Sequence, residues 1–508
     1  MDDGAMRRDG RRIDKVVRGV WSCRDDDLLW WDGEWWSVGR LFDLADRTTD
    51  VLRNGGFAAG SRLVVFMPNC PALLGLALAV WRLEGTLVPL NPQGGAEALL
   101  SAVFHADPTA LIVEEAWVSK LSGIEKTAEV PIVALASDGA LETYTGTESV
   151  PSDSHVAVLF STSGTTGRPK VVPLTHENIL SNLEQSLQLV NILKPCDVFL
   201  NVLPNFHTLG LVTSALLPLI AGNRQAVVPI FMPPDRVLRA ITAARVTVIV
   251  GVPTMLHLMV GAAAKAGSTF DSLRVVLSGG DRFPPALDER VRRVFGVPVL
   301  EGYGLTECSP VLAVNPTYER RRLGTVGPLL EKIEAKVLDS DGNSVMLGEE
   351  GVLWVRGPSV ASGYFKDPEM TEKKFVDGWF NTGDVVVMDD ERYVRIVDRA
   401  SDMIIVGGFN VYPQEVEAIL TSHPGVMEAA TVGRPNSLSG QVPCAYVSVV
   451  PEGPPSPEEL IVYCKERLAH YKVPRRIEIV QDFPRNSMGK ILRRILREAL
   501  EEQARQQR

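Results

Sequence analysis

The sequence predicts an α/β fold: a large N-terminal domain of helix-covered, mainly parallel sheets with a small antiparallel β subdomain, then a small α+β C-terminal domain. Three observations predict it. From residue 38 to about residue 330, short apolar runs alternate with helical stretches, the pattern of strands buried on both faces by helices. After that point the runs alternate in polarity around Asp341-Gly342, a turn pair that favours antiparallel strands. Beyond Asp398-Arg399 helices and strands mix. The 508 residues exceed one typical core, and the domains are placed at 1–399 and 400–508, the second being of ordinary small-domain size.

Each element has its own signal. VGRLFDLADRTTDVL has helical period and is closed by Asn54-Gly55-Gly56. RLVVFM reads as a strand, and Pro68-Asn69 opens the helix CPALLGLALAVWRL. TLVPL, ALIVEE, PIVALA, VAVLF, VFLNVL, TVIVGV and RVVLSGG are further strands, and PPDRVLRAITAA a further helix. EAKVLDSDGNSV and EGVLWVRG read as antiparallel strands. In the last part come a helix from Pro413 to about Leu420, the strands EAATVG and CAYVSVV, the helix PEELIVYCKERLAHY, the strand IEIV and a basic terminal helix.

Composition narrows the function. Hydrophobic residues at 45% and charged residues at 22% describe a globular chain. A net charge of −10 leaves no footprint for nucleic acid or an anionic membrane. The six cysteines are scattered without a C-x-x-C pair, as expected of small hydrophobes in a reducing cytoplasm. No apolar run is long enough for a spanning helix, and the charged start does not resemble a secretory leader. A soluble, cytoplasmic protein is the expectation.

One stretch points to chemistry. In STSGTTGRPK (Ser161 to Lys170) a lysine follows a glycine by six residues, as in a Walker loop. Pro169 replaces the second glycine, however, and Val171 the metal-binding hydroxyl. VAVLF precedes the stretch and KVVPL follows it, and a helix begins only after Thr175, a suitable N-cap. A Walker loop uses the helix N-terminus directly, so this loop joins strand to strand. Its phosphate ligands would be amides freed by Gly164 and Gly167, the hydroxyls of Ser161, Ser163, Thr165 and Thr166 beside Thr162, and Lys170.

This stretch resembles the P-loop-like signature of the adenylate-forming enzymes: acyl- and aryl-CoA synthetases, luciferases and peptide-synthetase adenylation domains. The likeness runs from about residue 20 to 500, with the family's motifs in order. EGYGLTECSP opens at Glu301 and follows the apolar run VPVL. Tyr303 offers a face for a purine, Gly302 and Gly304 allow close backbone approach, and Thr306 can bond a phosphate oxygen. Glu307 supplies a hard carboxylate for Mg²⁺, and the resemblance implies the same metal contact. It further implies that Asp384, in WFNTGDVVVM, binds the ribose hydroxyls. Arg399 matches an arginine that contacts the nucleotide, and Gly280, in SGGDRFPP, falls in the adenine-contacting stretch. Gly408 would face a pantetheine arm. Lys490, in PRNSMGKILRR, matches the catalytic lysine that reaches the carboxylate and the α-phosphate. It is read as opening the terminal helix, with Arg493 and Arg494 as surface charges. His207, in LPNFHTLG, is either the mouth of an acyl pocket or a structural histidine. Ser401 and Asp281 depart from the family's pattern.

The resemblance implies a two-step ligase closest in wording to fatty-acyl-CoA synthetases. ATP and a carboxylic acid give an acyl-adenylate with Mg²⁺, a mobile C-terminal domain then swings about Arg399–Ser401, and a thiol takes the acyl group. The thiol is that of CoA or of a phosphopantetheine on an acyl carrier protein. The acid is a medium- or long-chain fatty acid, with an aryl acid as the alternative. An acid after Phe206 would mark an amino-acid substrate, and none is present. A non-catalytic adenylate-binding relative and a Walker-type NTPase are the rivals from other classes.

Overall fold

The computed structural model describes residues 10–92, 100, 103, 105–115, 118, 121, 130–136, 138–147, 155–162, 170–436, 438–451, 453–486 and 489–506. The chain forms two compact units: the described residues within Met1–Glu334 and Val355–Phe380, and those within Ala335–Trp354 and Asn381–Arg508.

The first unit is built on two sheets. The larger runs Val311–Val314, Val299–Gly304, Val275–Ser278, Val248–Gly251, Val198–Asn201, Arg224–Val227, Asp27–Trp31 and Glu34–Ser37 in spatial order. Its inner pairings are parallel and its two outermost pairings antiparallel. The second sheet runs Ile132–Leu135, Ala110–Glu114, Arg62–Phe66, Thr86–Pro89, Val156–Thr162 and Lys170–Thr175, parallel throughout except for the final pair. The mainly parallel architecture expected from the buried apolar runs is therefore present. The helix Pro71–Arg82 is apolar on every face because every residue from Pro71 to Trp81 is buried. Trp81 alone needs a polar partner there, and its indole N–H donates to the Ala157 carbonyl at 2.8 Å. Among the described residues no helix is long and apolar enough to cross a membrane.

One hairpin lay outside the sequence reading. In DLLWWDGEWWS, Asp32 (φ 49°) and Gly33 (φ 94°) form a two-residue turn with Trp31 opposite Glu34. Both central residues are left-handed, as such tight hairpins require, and the Asp-Gly pair was a legible signal. Trp30 and Leu29 then extend the large sheet beyond Arg224–Val227.

The second unit holds two further sheets. In one, Trp379–Met388 pairs antiparallel with Val394–Arg399. In the other, Val426–Asn436 and Gly440–Val449 form a long antiparallel pair flanked by Ile404–Val406, Phe409–Val411 and Arg476–Ile479. Helices Pro413–Thr421 and Pro457–Lys465 cover one core, and Arg493–Gln506 a second. The helix expected over PEELIVYCKERLAHY ends at Lys465. Ala469 is extended (ψ 144°), and this break lets Leu468 and Tyr471 pack onto the core that also holds Cys464 and Val473.

Candidate active site

The first unit carries the phosphate stretch on a hairpin. Val156–Thr162 and Lys170–Thr175 are antiparallel, with Ser161 opposite Val171 and Thr162 opposite Lys170. Thr162 Oγ1 donates to the Lys170 carbonyl at 3.3 Å, closing the base of the loop. Ser163, Gly164, Thr165, Thr166 and Gly167 lie outside the described residues. The strand-to-strand setting expected of the loop is what its two ends form. Helix His176–Leu189 follows the second strand, capped by Thr175 and Asn178 in a reciprocal capping box.

Glu301, Gly302, Tyr303 and Gly304 end the strand Val299–Gly304, at the carboxyl edge of the large sheet. The chain then turns through Thr306–Cys308 and returns as Val311–Val314. A Cβ on Gly304 would lie 2.0 Å from the Pro310 carbonyl oxygen, so this position accepts only glycine without moving backbone. Gly280 (φ 83°) faces Val252 and Leu209, whose methyls would stand 3.4 and 3.7 Å from a Cβ there. Val252 and Leu209 thus pack against the expected adenine loop.

Glu307 and Lys170, far apart in sequence, meet around one side chain. Tyr364 Oη donates to Glu307 Oε1 at 2.8 Å, and Lys170 Nζ stands 5.2 Å from the centroid of the same ring. Tyr364 was not foreseen: a lone tyrosine in SGYFKDP carries no motif signal, and its partner Glu307 is 57 residues away. Burial, then the neighbouring Glu307, push its phenol well above the ordinary range, so it acts as a donor.

His207 precedes a π-helical segment, Leu209–Leu216, a rare geometry frequent at functional sites. Its ring packs on Phe206, 4.7 Å between centroids. Burial lowers its pKa to about 4, so at neutral pH it is an uncharged wall. Burial raises Glu301 to about 7, helped by Asp288 and opposed by Arg321 and Arg282. Asp288 is itself paired with Arg321 at 2.8 Å and accepts from Val299 N.

The raised Glu301 makes a pH prediction. Its folded pKa lies above the unfolded value, so its contribution to stability is full below about pH 4.5 and is lost as pH rises through about 7. Glu301→Gln is therefore expected to gain melting temperature relative to the native chain as pH is raised through this window. A difference independent of pH would contradict the assignment.

In the second unit Asp384 and Arg399 are cross-strand partners. Arg399 Nε is 2.9 Å from Asp384 Oδ1, the aspartate side chain being 3% exposed and the arginine 37%. Gly407 and Gly408 (φ 57° and 87°) form the two-residue turn between Ile404–Val406 and Phe409–Val411. That turn alone requires glycine, and a Cβ at either position would meet nothing within 4 Å.

Lys490 is in a tight turn, three residues ahead of the terminal helix and not at its first turn. The helix begins at Arg493. Asn486 accepts from Lys490 N and Gly489 N, and Arg485 donates to the Gly489 carbonyl. Among the described residues the Lys490 ammonium has no hydrogen bond or ion pair.

Arg493 is not the surface charge expected of it. It donates to both oxygens of Glu417 at 2.6 and 2.8 Å, and Glu417 also accepts from Thr431 N. Asp402 lies 3.9 Å from Arg493 and 3.2 Å from Arg497. Asp398 accepts from Arg399 N and Gln414 N. Both ends of the expected hinge are thereby anchored, Asp398 to the helix Pro413–Thr421 and Asp402 to the terminal helix. Among the described residues Arg494 pairs only with exposed Glu498 and is a surface charge as expected.

A carboxylate and a lysine brought to one tyrosine suit a magnesium-bound triphosphate. A single carboxylate, Glu307, meets the usual protein share of such a metal's ligands.

The family model described as AMP-binding enzyme matches residues 21–365, and the AMP-binding enzyme C-terminal domain matches residues 415–490. A long-chain-fatty-acid–CoA ligase of Yersinia pestis is 38% identical over 344 residues, 67% of this chain and 61% of that protein. The chain thus spans less than two thirds of that ligase. A 2-succinylbenzoate–CoA ligase of Bacillus licheniformis is 35% identical over 89% of this chain and 93% of its own. Among solved structures, ATP-bound MatB from Rhodopseudomonas palustris superposes with a TM-score of 0.86 at 29% identity, covering 97% of this chain and 99% of its own. An o-succinylbenzoate CoA synthetase from Bacillus subtilis with its acyl-adenylate gives 0.83 at 30% identity, covering 95% and 97%.

Proposed function

The chain belongs to the AMP-binding enzyme family, and from that premise we propose that it is an AMP-forming acid–thiol ligase acting in the cytoplasm on a medium- or long-chain fatty acid. The observation that carries this reading is the convergence of Lys170 and Glu307 on Tyr364. It brings together the two residues we assign to phosphate and to metal, although their motifs are remote in sequence.

In the first step the acid's carboxylate oxygen attacks the α-phosphorus of ATP, pyrophosphate leaves and an acyl-adenylate forms. Lys170, Ser161 and Thr162, with Ser163, Thr165 and Thr166, hold the departing β- and γ-phosphates, and Gly164 and Gly167 free the backbone amides. Tyr303 would stack the purine, Gly302 and Gly304 would let the nucleotide approach the backbone, Gly280 would contact the adenine, and Thr306 would bond a phosphate oxygen. Glu307 would hold magnesium, which when bound screens the triphosphate charge. Asp384 and Arg399 address the ribose and nucleotide. Lys490 stabilises the charge that grows on the reacting phosphorus, an interaction stronger in the transition state than before it. His207, uncharged, packs the acyl group without attracting its carboxylate.

In the second step a thiol attacks the acyl carbon, loses its proton, and AMP leaves. We assign this step to CoA, approaching along Gly408, and take residue 399 as the functional boundary between 1–399 and 400–508. A carrier-protein phosphopantetheine offers the same thiol and is the alternative acceptor. An aryl acid is the second reading of the substrate, favoured by the 2-succinylbenzoate–CoA ligase matched over 93% of its length.

ATP–pyrophosphate exchange with a panel of fatty and aryl acids tests the proposal, with CoA and carrier protein then compared as acceptors. Exchange that depends on a fatty acid supports it. Exchange with aryl acids alone moves the substrate to the second reading, and no acid-dependent exchange rejects the ligase.

A further inference from the structure

Glu307 and Lys170 carry opposite charges in one half of the site, yet among the described residues they form no direct ion pair. Tyr364 stands between them, its hydroxyl bonded to Glu307 Oε1 and its ring face 5.2 Å from Lys170 Nζ.

The ring is 7% exposed and is fixed from several sides. Tyr364 N donates to Thr371 Oγ1 at 2.9 Å. Gly363 makes that approach possible, since a Cβ there would fall 2.5 Å from Thr371 Cγ2. Phe375 meets the ring edge-on at 5.6 Å. The flanking backbone is bound to both functional strands: Ala361 N donates to the Glu307 carbonyl, and Phe365 N to the carbonyl of Val171, next to Lys170. The segment therefore has one position relative to the carboxylate and the ammonium, and Tyr364 transmits it to their side chains.

We infer that Tyr364 is a positioning residue for the ATP half-reaction: it holds Glu307 and Lys170 apart, so that neither charge is spent on the other before metal and phosphate arrive. The inference rests on the proposed assignment of Glu307 to metal and Lys170 to phosphate. A hydroxyl donating to a carboxylate fixes its direction without neutralising it. A ring face attracts an ammonium more weakly than a carboxylate would. Without the hydroxyl, Glu307 is free to swing to Lys170, and a metal–nucleotide complex must first break that pair.

Tyr364→Phe keeps the ring and its packing and removes only the hydroxyl, while Tyr364→Leu removes the ring face as well. In acid-dependent exchange, Tyr364→Phe is expected to raise both the magnesium concentration for half-maximal rate and the ATP KM about tenfold, the equivalent of one charge-assisted hydrogen bond. Tyr364→Leu should raise both further. Thioester formation from supplied acyl-adenylate should stay unchanged. A readout independent of turnover is Mn²⁺ binding by electron paramagnetic resonance in the presence of a non-hydrolysable ATP analogue, where Tyr364→Phe should weaken Mn²⁺ by a similar factor at unchanged melting temperature. Native magnesium dependence and native Mn²⁺ affinity in Tyr364→Phe would overturn the inference. So would an equal loss in both half-reactions with a lowered melting temperature, which marks a purely structural tyrosine. Absence of acid-dependent exchange in the native chain would instead overturn the assignment on which the inference rests.

Discussion

Lys490→Ala is expected to lower acid-dependent ATP–pyrophosphate exchange about a hundred- to a thousandfold, the usual loss when a preorganised charge donor is removed from a transition state. Thioester formation from supplied acyl-adenylate and CoA should change little. The asymmetry follows from the chemistry: negative charge builds on phosphorus only in the first step, and the second breaks a bond at the acyl carbon. Lys490 stands apart from the basic terminal helix, which begins at Arg493. Lys490 sits in a turn closed by Asn486 and Arg485, and its ammonium has no partner among the described residues. Lys490→Arg should recover only part of the rate, because a planar guanidinium places its charge differently. Equal loss of both half-reactions would remove Lys490 from the assigned role.

The second large effect concerns stability. Glu417→Gln or Arg493→Met alone is expected to cost about 3–5 kcal/mol in the second unit, the range for breaking one side of a buried pair. Glu417 is 12% exposed at its side chain and Arg493 21%, so the surviving partner keeps little water, and Arg493 retains the more distant Asp402 at 3.9 Å. Replacing both by methionine should restore part of the loss, since neither charge of the pair is left alone, while Thr431 N loses its acceptor. Hydrogen exchange of the helices Pro413–Thr421 and Arg493–Gln506 in the full chain reads this directly: both should open faster in each single variant and recover together in the double. Single variants within about 0.5 kcal/mol of native would show that the pair behaves like a surface ion pair.

The two cases mark what sequence carries and what it does not. Periodicity located most strands of the two mainly parallel sheets, those that are apolar and bounded by turn residues, but not Asp27–Trp31, Glu34–Ser37, Arg224–Val227 or Val311–Val314. Thr175 was legible as a cap because its signal is local. So was the strand-to-strand character of the phosphate stretch, with apolar runs on both sides. Arg493 was misread because RRILRE has the composition of a solvated helix; its counter-charge is Glu417, 76 residues away. Tyr364 went unseen for the same reason, being functional only through contacts with Glu307 and Lys170 that folding creates. The glycines at 407 and 408 show another limit. A left-handed turn already demands them, so glycine there does not by itself distinguish a turn from room for a pantetheine arm. Sequence gave the motifs, and the fold supplied the side chains that hold them.

In the proposed reaction this chain joins an acid to AMP through the acid's own oxygen. Turnover with ATP, CoA and a carboxylic acid labelled in both oxygens with ¹⁸O tests it most directly. Attack at the α-phosphorus leaves one labelled oxygen on phosphorus when the thiol takes the acyl carbon, so one ¹⁸O should appear in the phosphate of each AMP released. AMP without label, or ADP and phosphate in its place, would contradict the account.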